Sequence, residues 1–331
     1  MNWIQNVPKV ELHCHLDGSV RPSTILDLSR KYGLDLPTYD LNELLDYLQV
    51  PEDCQSLKEY LERFTYPGQV MQTKEGLWRV TDELLEDCAK ENVKYIEIRF
   101  APLLHMQQGL SFTDVVDTVL DAIQQGEERH GILSNLILCC MRHEPVEKSI
   151  FLVQQAKPYL NKGVVAIDLA GNEADFPPEL HKEAFDLARE YGFHITIHAG
   201  ETGIGQNVRK SVELLHAERI GHGVFIVNDP QSYELVMEKQ IPLEVCPQSN
   251  LHTQAFPSYE KHPVKDFFNA GLVINVSTDN RTVSDVTLSD EYTEINRAHG
   301  MTEADFIEIF KKSVAASFAS DQVKAKLLAM V

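Results

Sequence analysis

Two histidines one residue apart, His13 and His15, stand in the run "KVELHCHLDGS" just before a break at Asp17-Gly18. Alternate residues of a strand face the same way, so both imidazoles project to one side while Cys14 projects to the other. A single H-x-H on a strand suits core histidines as well as metal binding, for which histidine is the commonest ligand. Three further runs end in polar groups. "HITIHAGETG" puts His198 last on its strand with Glu201 three residues on, "ERIGHGV" sets His222 between two glycines, and "VINVSTDN" ends in Asp279 and Asn280. His13, His15, His198 and Asp279 make a set of three nitrogens and one oxygen. That set suits zinc, with iron, cobalt or manganese as alternatives. The run "VVAIDLAG" has no lysine that could be modified to bridge two ions, so one ion per chain is expected.

Water at neutral pH offers only trace hydroxide, its pKa being about 15.7, whereas zinc-bound water titrates near 7. A carboxyl close to such a water can shuttle a proton to the group being attacked or expelled, and Glu201 is placed for that role. The alternative for Glu201 is a capping carboxylate at the next helix N-terminus. His222 is positioned to orient the hydroxide or take its proton, or else to support Asp279 as a second partner. Gly171 in "DLAGNE" offers an N–H to a ligand, or merely permits a positive φ. These residues alone point to metal-assisted hydrolysis with one metal ion. The "HAE" at His216–Glu218 copies the H-x-E of the cytidine-type zinc deaminases, but no P-C-x-x-C follows it. It falls on a predicted helix, where Glu218 reads as a solvated charge.

The elements that must position these groups are eight Val- and Ile-rich runs, at 10–16, 93–102, 133–142, 164–170, 194–199, 219–223, 242–246 and 273–278. Amphipathic stretches such as 179–191 and 208–216 lie between them, and Gly192 caps the first of these. Eight alternating units predict a single-domain α/β chain folded as a (β/α)8 TIM barrel, with a doubly wound open sheet as the alternative. Every polar strand end named above then falls on the C-terminal face, where barrel active sites lie. Residues 34–70 form an insertion after the first strand, with helices expected at 41–48 and 57–64, and residues 302–331 add helices after the last. In the insertion, Leu57, Tyr60, Leu61 and Phe64 share one helical face, which either packs on the barrel or gates its mouth as a lid.

Apolar content of 43% and charged content of 24% are those of a globular protein, but the formal charge of −20 argues against nucleic acid or an anionic membrane as partner. Six scattered cysteines without a C-x-x-C pair read as free thiols of a reducing compartment. The opening stretch lacks a signal-peptide pattern, and no run of about 18 apolar residues could span a bilayer, so a cytoplasmic location is expected.

The strings "VELHCHLDGS", "LCCMRH", "VVAIDLAGNE", "HITIHAGETG", "ERIGHGV", "EVCPQSN" and "STDN", in this order and spacing, resemble the adenosine deaminase family. The resemblance runs from about Pro8 to beyond Glu291. It implies a zinc barrel of the amidohydrolase type that converts adenosine or deoxyadenosine to inosine or deoxyinosine and ammonia, in purine salvage. By that resemblance His13, His15, His198 and Asp279 hold zinc, Glu201 protonates purine N1, and His222 orients and activates the hydroxide. Gly171 donates its N–H to N3, Asp17 and His15 lie near the ribose, Ser249 occupies a pocket position, and Leu57, Tyr60, Leu61 and Phe64 form the gate. The chain departs from the family pattern after the metal aspartate, where Asn280 and Arg281 replace an Asp-Pro pair. An Asn amide donates to purine N7 without an extra proton, so Asn280 is expected to take that contact. A sister enzyme acting on adenine or a sugar-modified adenosine is the nearest alternative. A binding protein that keeps the fold without turnover is the other.

Overall fold

The computed structural model describes residues 2–51, 54 and 56–331. Eight parallel strands follow one another in space as in sequence: β1 (Lys9–His15), β2 (Val93–Phe100), β3 (Leu133–Met141), β4 (Val164–Ala170), β5 (His194–Ala199), β6 (Arg219–His222), β7 (Leu243–Val245) and β8 (Ile274–Val276). The sheet closes between its ends. His15 N–H donates to the Asp279 carbonyl at 2.7 Å, and Asp279 N–H to the His13 carbonyl at 2.9 Å. The expected (β/α)8 barrel is therefore the fold.

The helices after β4 and β5 span Lys182–Tyr191 and Gln206–Leu214. Gly192 closes the first in the left-handed region at φ 90°, donating its N–H to Ala188 and Arg189 carbonyls. The second stops at Leu214, so His216 and Glu218 are not helical as expected. Glu218 instead meets His194 Nδ1 at 2.8 Å and takes the Ile195 N–H, tying the turn to β5. The connection after β1 holds the expected helix Leu41–Leu48, while the helix expected at 57–64 is α-helical over Leu57–Leu61 and tightens to a 3-10 turn over Glu62–Phe64. Pro22–Tyr32 precedes them and the helix Lys74–Lys90 leads into β2. Helices Glu303–Ala316 and Asp321–Leu328 follow the eighth unit. Among the described residues no helix is long and apolar enough to cross a membrane, and all six cysteines are free and buried.

The main apolar core lies between strands and helices, while the barrel interior is ionic. Arg99 of β2 meets Asp168 of β4 at 2.9 Å and Glu244 of β7 at 2.7 Å, and Arg219 of β6 meets Glu244 at 2.8 Å and Glu97 of β2 at 2.6 Å. These side chains are almost wholly buried, so breaking one side of the network strands charge in a low dielectric. Arg99→Met is expected to cost about 3–5 kcal/mol of unfolding free energy, read from the denaturant midpoint. A loss under about 1 kcal/mol would contradict this picture of the interior.

His105 is buried against Phe100 with neither ring nitrogen hydrogen-bonded, and burial lowers its pKa to about 4. The unfolded chain then binds the proton more readily than the folded one, so stability falls as pH drops below about 6.5 towards 4. Between pH 7.5 and 5 this one group is expected to remove about 2 kcal/mol, so His105→Leu should lose about 2 kcal/mol less than the parent chain over that interval. Equal losses by chemical denaturation at the two pH values would show that His105 is not responsible.

Candidate active site

At the C-terminal rim, His13 and His15 of β1, His198 of β5 and Asp279 beyond β8 each bring one ligand atom to within 4.8 Å of the others. His15 Nε2 lies 3.1 Å from His198 Nε2, and Asp279 Oδ1 lies 3.4 Å from Nε2 of both His13 and His15. The pleat of β1 accounts for the two alternating imidazoles. Asp279 reaches the same point because its backbone turns into the left-handed region at φ 61°, and His222 does likewise at φ 62°. Positive φ at non-glycine residues is costly and is retained where the surroundings enforce it. Gly221 serves this packing, for a Cβ there would sit 2.8 Å from His13 Cε1. It makes room for a histidine rather than for a substrate.

The outward nitrogens are held by carboxylates. His13 Nδ1 lies 2.8 Å from Glu244 Oε2, and His198 Nδ1 lies 3.1 Å from Asp168 Oδ1. An Nδ1–H donated to a carboxylate leaves Nε2 with its lone pair facing inward, the arrangement of a metal-binding imidazole. Ser249 Oγ donates to Asp279 Oδ2 at 2.7 Å, so the partner of Asp279 is Ser249 and not His222. His13 Nε2 and Asp279 Oδ1 are left buried without a hydrogen-bond partner. Buried polar atoms are nearly always satisfied, and lone pairs that converge unpartnered fit a cation. The residues present therefore match a metal site of nitrogen and carboxylate donors.

Glu201 is not a helix cap. The next helix starts at Gln206 without a side-chain cap, and the Glu201 carboxylate lies 3.7 Å from His222 Nε2. Its loop is clamped by Glu173, which accepts the N–H groups of Gly200, Glu201 and Thr202 at 2.7–3.0 Å and the Asn207 amide at 2.9 Å. Burial pushes the Glu201 carboxyl well above the usual carboxylate range, and the Asp279 and Glu173 carboxylates push it further. That environment favours the neutral acid over the carboxylate. Burial, with His13 beside it, holds His222 well below its usual value, so that ring is neutral.

A hydrogen-bond chain decides where the His222 proton sits. Val264 N–H donates to His262 Nδ1 at 3.3 Å, which leaves His262 Nε2–H to donate to Asn250 Oδ1 at 3.2 Å. The Asn250 Nδ2–H then donates to His222 Nδ1 at 3.2 Å. A neutral ring that accepts at Nδ1 carries its proton on Nε2, the nitrogen nearer Glu201.

These groups open on a cavity of about 240 Å³. Its lining includes His15, Asp17, Gly171, Glu201, His222, Asp279 and Asn280, with Leu57, Tyr60, Leu61 and Phe64 of the insertion forming an apolar wall. Among the described residues that line it there is no lysine or arginine. Asp17 is buried with Oδ1 unpartnered, and Gly171 adopts φ 103°, where a side chain would be strained. Ser249 is buried beneath Asp279 and is absent from this lining. The four insertion residues are thus brought together at the mouth, where Tyr60 is buried and Leu61 is exposed.

Sequence reasoning passed over Asp168, Glu244, Glu173 and Asn250. The first two carried a signal, a charge set inside an apolar strand run, which a barrel interior tolerates only when it is paired. Glu173 sits in the loop after β4 and Asn250 in the short helix Pro247–His252, and nothing local marks them.

A parallel barrel with a histidine–aspartate cluster and a buried carboxyl at its C-terminal rim has the make-up of a metal-assisted hydrolytic enzyme. The family model described as Adenosine deaminase matches residues 8–331, and the chain belongs to the adenosine deaminase family. It is 52% identical over 325 residues to an adenosine deaminase of Clostridium acetobutylicum, covering 98% of this chain and 97% of that one. It is 50% identical to an adenosine deaminase of Clostridium kluyveri, over 97% and 92% of the two chains. Among solved structures it resembles an adenine deaminase from Arthrobacter aurescens (TM-score 0.92, 27% identity, 97% of each chain). The arabidopsis N6-mAMP deaminase is also similar (TM-score 0.89, 29% identity, 100% of this chain and 99% of that one). So is an amidohydrolase of Burkholderia ambifaria with bound Zn (TM-score 0.89, 28% identity, 99% and 90%).

Proposed function

We propose that the chain hydrolyses adenosine and 2′-deoxyadenosine to inosine and 2′-deoxyinosine with release of ammonia, a purine salvage reaction of the cytoplasm. One zinc ion per chain would be held by His13, His15, His198 and Asp279. The zinc-bound amidohydrolase relative supports that choice of metal. When bound there, the ion supplies a nucleophilic oxygen at neutral pH and positive charge against the oxyanion that forms.

The observation that carries this reading is a buried carboxyl, Glu201, set beside four converging metal donors, three of which line the same small cavity. An aromatic C6 resists addition because attack breaks ring conjugation. A proton given by Glu201 to N1 lets the ring electrons move onto nitrogen as the oxygen adds. Glu201, now a carboxylate, takes the hydroxyl proton of the adduct and passes it to the exocyclic amine, which leaves as ammonia. One side chain thus delivers both protons, to N1 and to the amine. It ends as the carboxylate and regains a proton from solvent, which balances the one released when the next attacking water ionises. His222, with its proton on Nε2, holds the attacking oxygen by donating to it rather than by taking its proton. Gly171, by its N–H, would donate to purine N3 and the Asn280 amide to N7, both residues lining the cavity. The unpartnered Asp17 oxygen accepts a hydroxyl of the sugar.

Asp17 favours a nucleoside over free adenine, and a lining without lysine or arginine disfavours a 5′-phosphate. The test is the ultraviolet change on deamination for adenosine, 2′-deoxyadenosine, adenine and AMP under one set of conditions. The two nucleosides should exceed adenine and AMP in kcat/KM by at least about tenfold. Preference for adenine or AMP would assign the chain to a sister 6-aminopurine deaminase.

A further inference from the structure

Tyr60 is more than part of an apolar wall. Its hydroxyl crosses from the insertion to the loop after β8, accepting the Asn280 Nδ2–H at 2.9 Å and lying 2.8 Å from Ser284 Oγ. Its oxygen receives from Asn280, while its hydroxyl also meets Ser284, so one phenol group ties the Asn280 amide to the insertion. The Tyr60 ring is anchored beside Val283, and Val50 N–H donates to the Val283 carbonyl at 2.9 Å. On the other flank of Asn280 there is no room to move. A Cβ on Gly18 would lie 1.9 Å from Asn280 Oδ1. Asn280 is thus gripped between the β1 turn and the insertion, gives one amide hydrogen to Tyr60 and lines the cavity.

We propose that Tyr60 is a positioning residue for base recognition: by holding one hydrogen of the Asn280 amide, it aims the other at purine N7, so the insertion's seating and the reading of the base are one event. This rests on the adenosine reading of the cavity. Released from Tyr60, the Asn280 amide rotates about its side-chain torsion, and its remaining donor loses its aim. The chain's Asn at 280 fits this arrangement, since an ionised carboxylate there offers no hydrogen for Tyr60 or for N7.

The test compares the parent chain with Tyr60→Phe in the metal-loaded enzyme. The inhibition constants of inosine and of 7-deazainosine, which lacks the N7 acceptor, are measured against adenosine turnover. Tyr60→Phe is expected to weaken inosine about three- to tenfold, the scale of one hydrogen bond, and to weaken 7-deazainosine by at least threefold less. In an Asn280→Ala background the same substitution should add less than about twofold for inosine. Equal weakening of both ligands, or a full additional loss in the Asn280→Ala background, would overturn the proposal. So would loss of metal from Tyr60→Phe, because Ser249, the partner of Asp279, also approaches the Tyr60 hydroxyl. A parent chain that fails to deaminate adenosine at all would instead refute the adenosine reading.

Discussion

Glu201→Gln should reduce turnover of adenosine at least about a hundredfold, and by up to about ten-thousandfold, while leaving the metal content of the protein unchanged. Glutamine keeps the shape and the neutral charge of the protonated acid but has no proton that it can give to N1. It also cannot ferry the adduct's hydroxyl proton to the amine, so both halves of the reaction suffer. The pH profile adds a second signature. The carboxyl acts in its protonated form, and its pKa lies well above the usual range because it is buried beside Asp279 and Glu173. In the parent chain kcat/KM should therefore fall as pH rises through that raised pKa. In Glu201→Gln the alkaline fall assigned to this group should be absent. Near-normal turnover in the variant, or an unchanged alkaline limb, would remove Glu201 from its role.

Asp279→Ala is expected to weaken metal binding at least about a hundredfold, since even groups that only support a ligand cost ten- to hundredfold when removed. Asp279 is the single oxygen among the four donors, and its carboxylate faces Nε2 of both His13 and His15 at 3.4 Å. Elemental analysis after dialysis should find well below one equivalent of metal, and added zinc should restore little turnover. Stoichiometric metal retained by the variant would show that the donor set is wrong.

The polar strand ends were legible because a barrel has one functional face and strand direction is fixed by the βα alternation. His13, His15, His198 and Asp279 could be placed at one rim from that rule alone. The contacts that tune them were not legible. Asp168 and Glu244 lie 30 and 231 residues from the histidines they hold, so no local period connects them. The register between strands, which sets these pairings, depends on barrel geometry that a single sequence does not print. The His262–Asn250–His222 chain is equally hidden, because the residues come from three different elements: the end of β6, the helix Pro247–His252 and the segment just after Lys261. Tyr60 illustrates a different failure. Helical periodicity correctly put it on a face with Leu57, Leu61 and Phe64, but periodicity reports where a side chain points and not what its hydroxyl finds there. The tightest misreading was Glu218, assigned to a helix that ends four residues earlier at Leu214.

Hydrolysis of adenosine is expected to require a single ion shared by side chains of β1, β5 and the segment just after β8. Chelated, metal-free protein should be titrated with zinc while the ultraviolet change of adenosine to inosine is followed. Turnover is expected to be negligible at the start, to rise in proportion to the zinc added, and to stop rising at one equivalent per chain. Full turnover by the metal-free chain, or a rise that continues to two equivalents, would contradict the site described here.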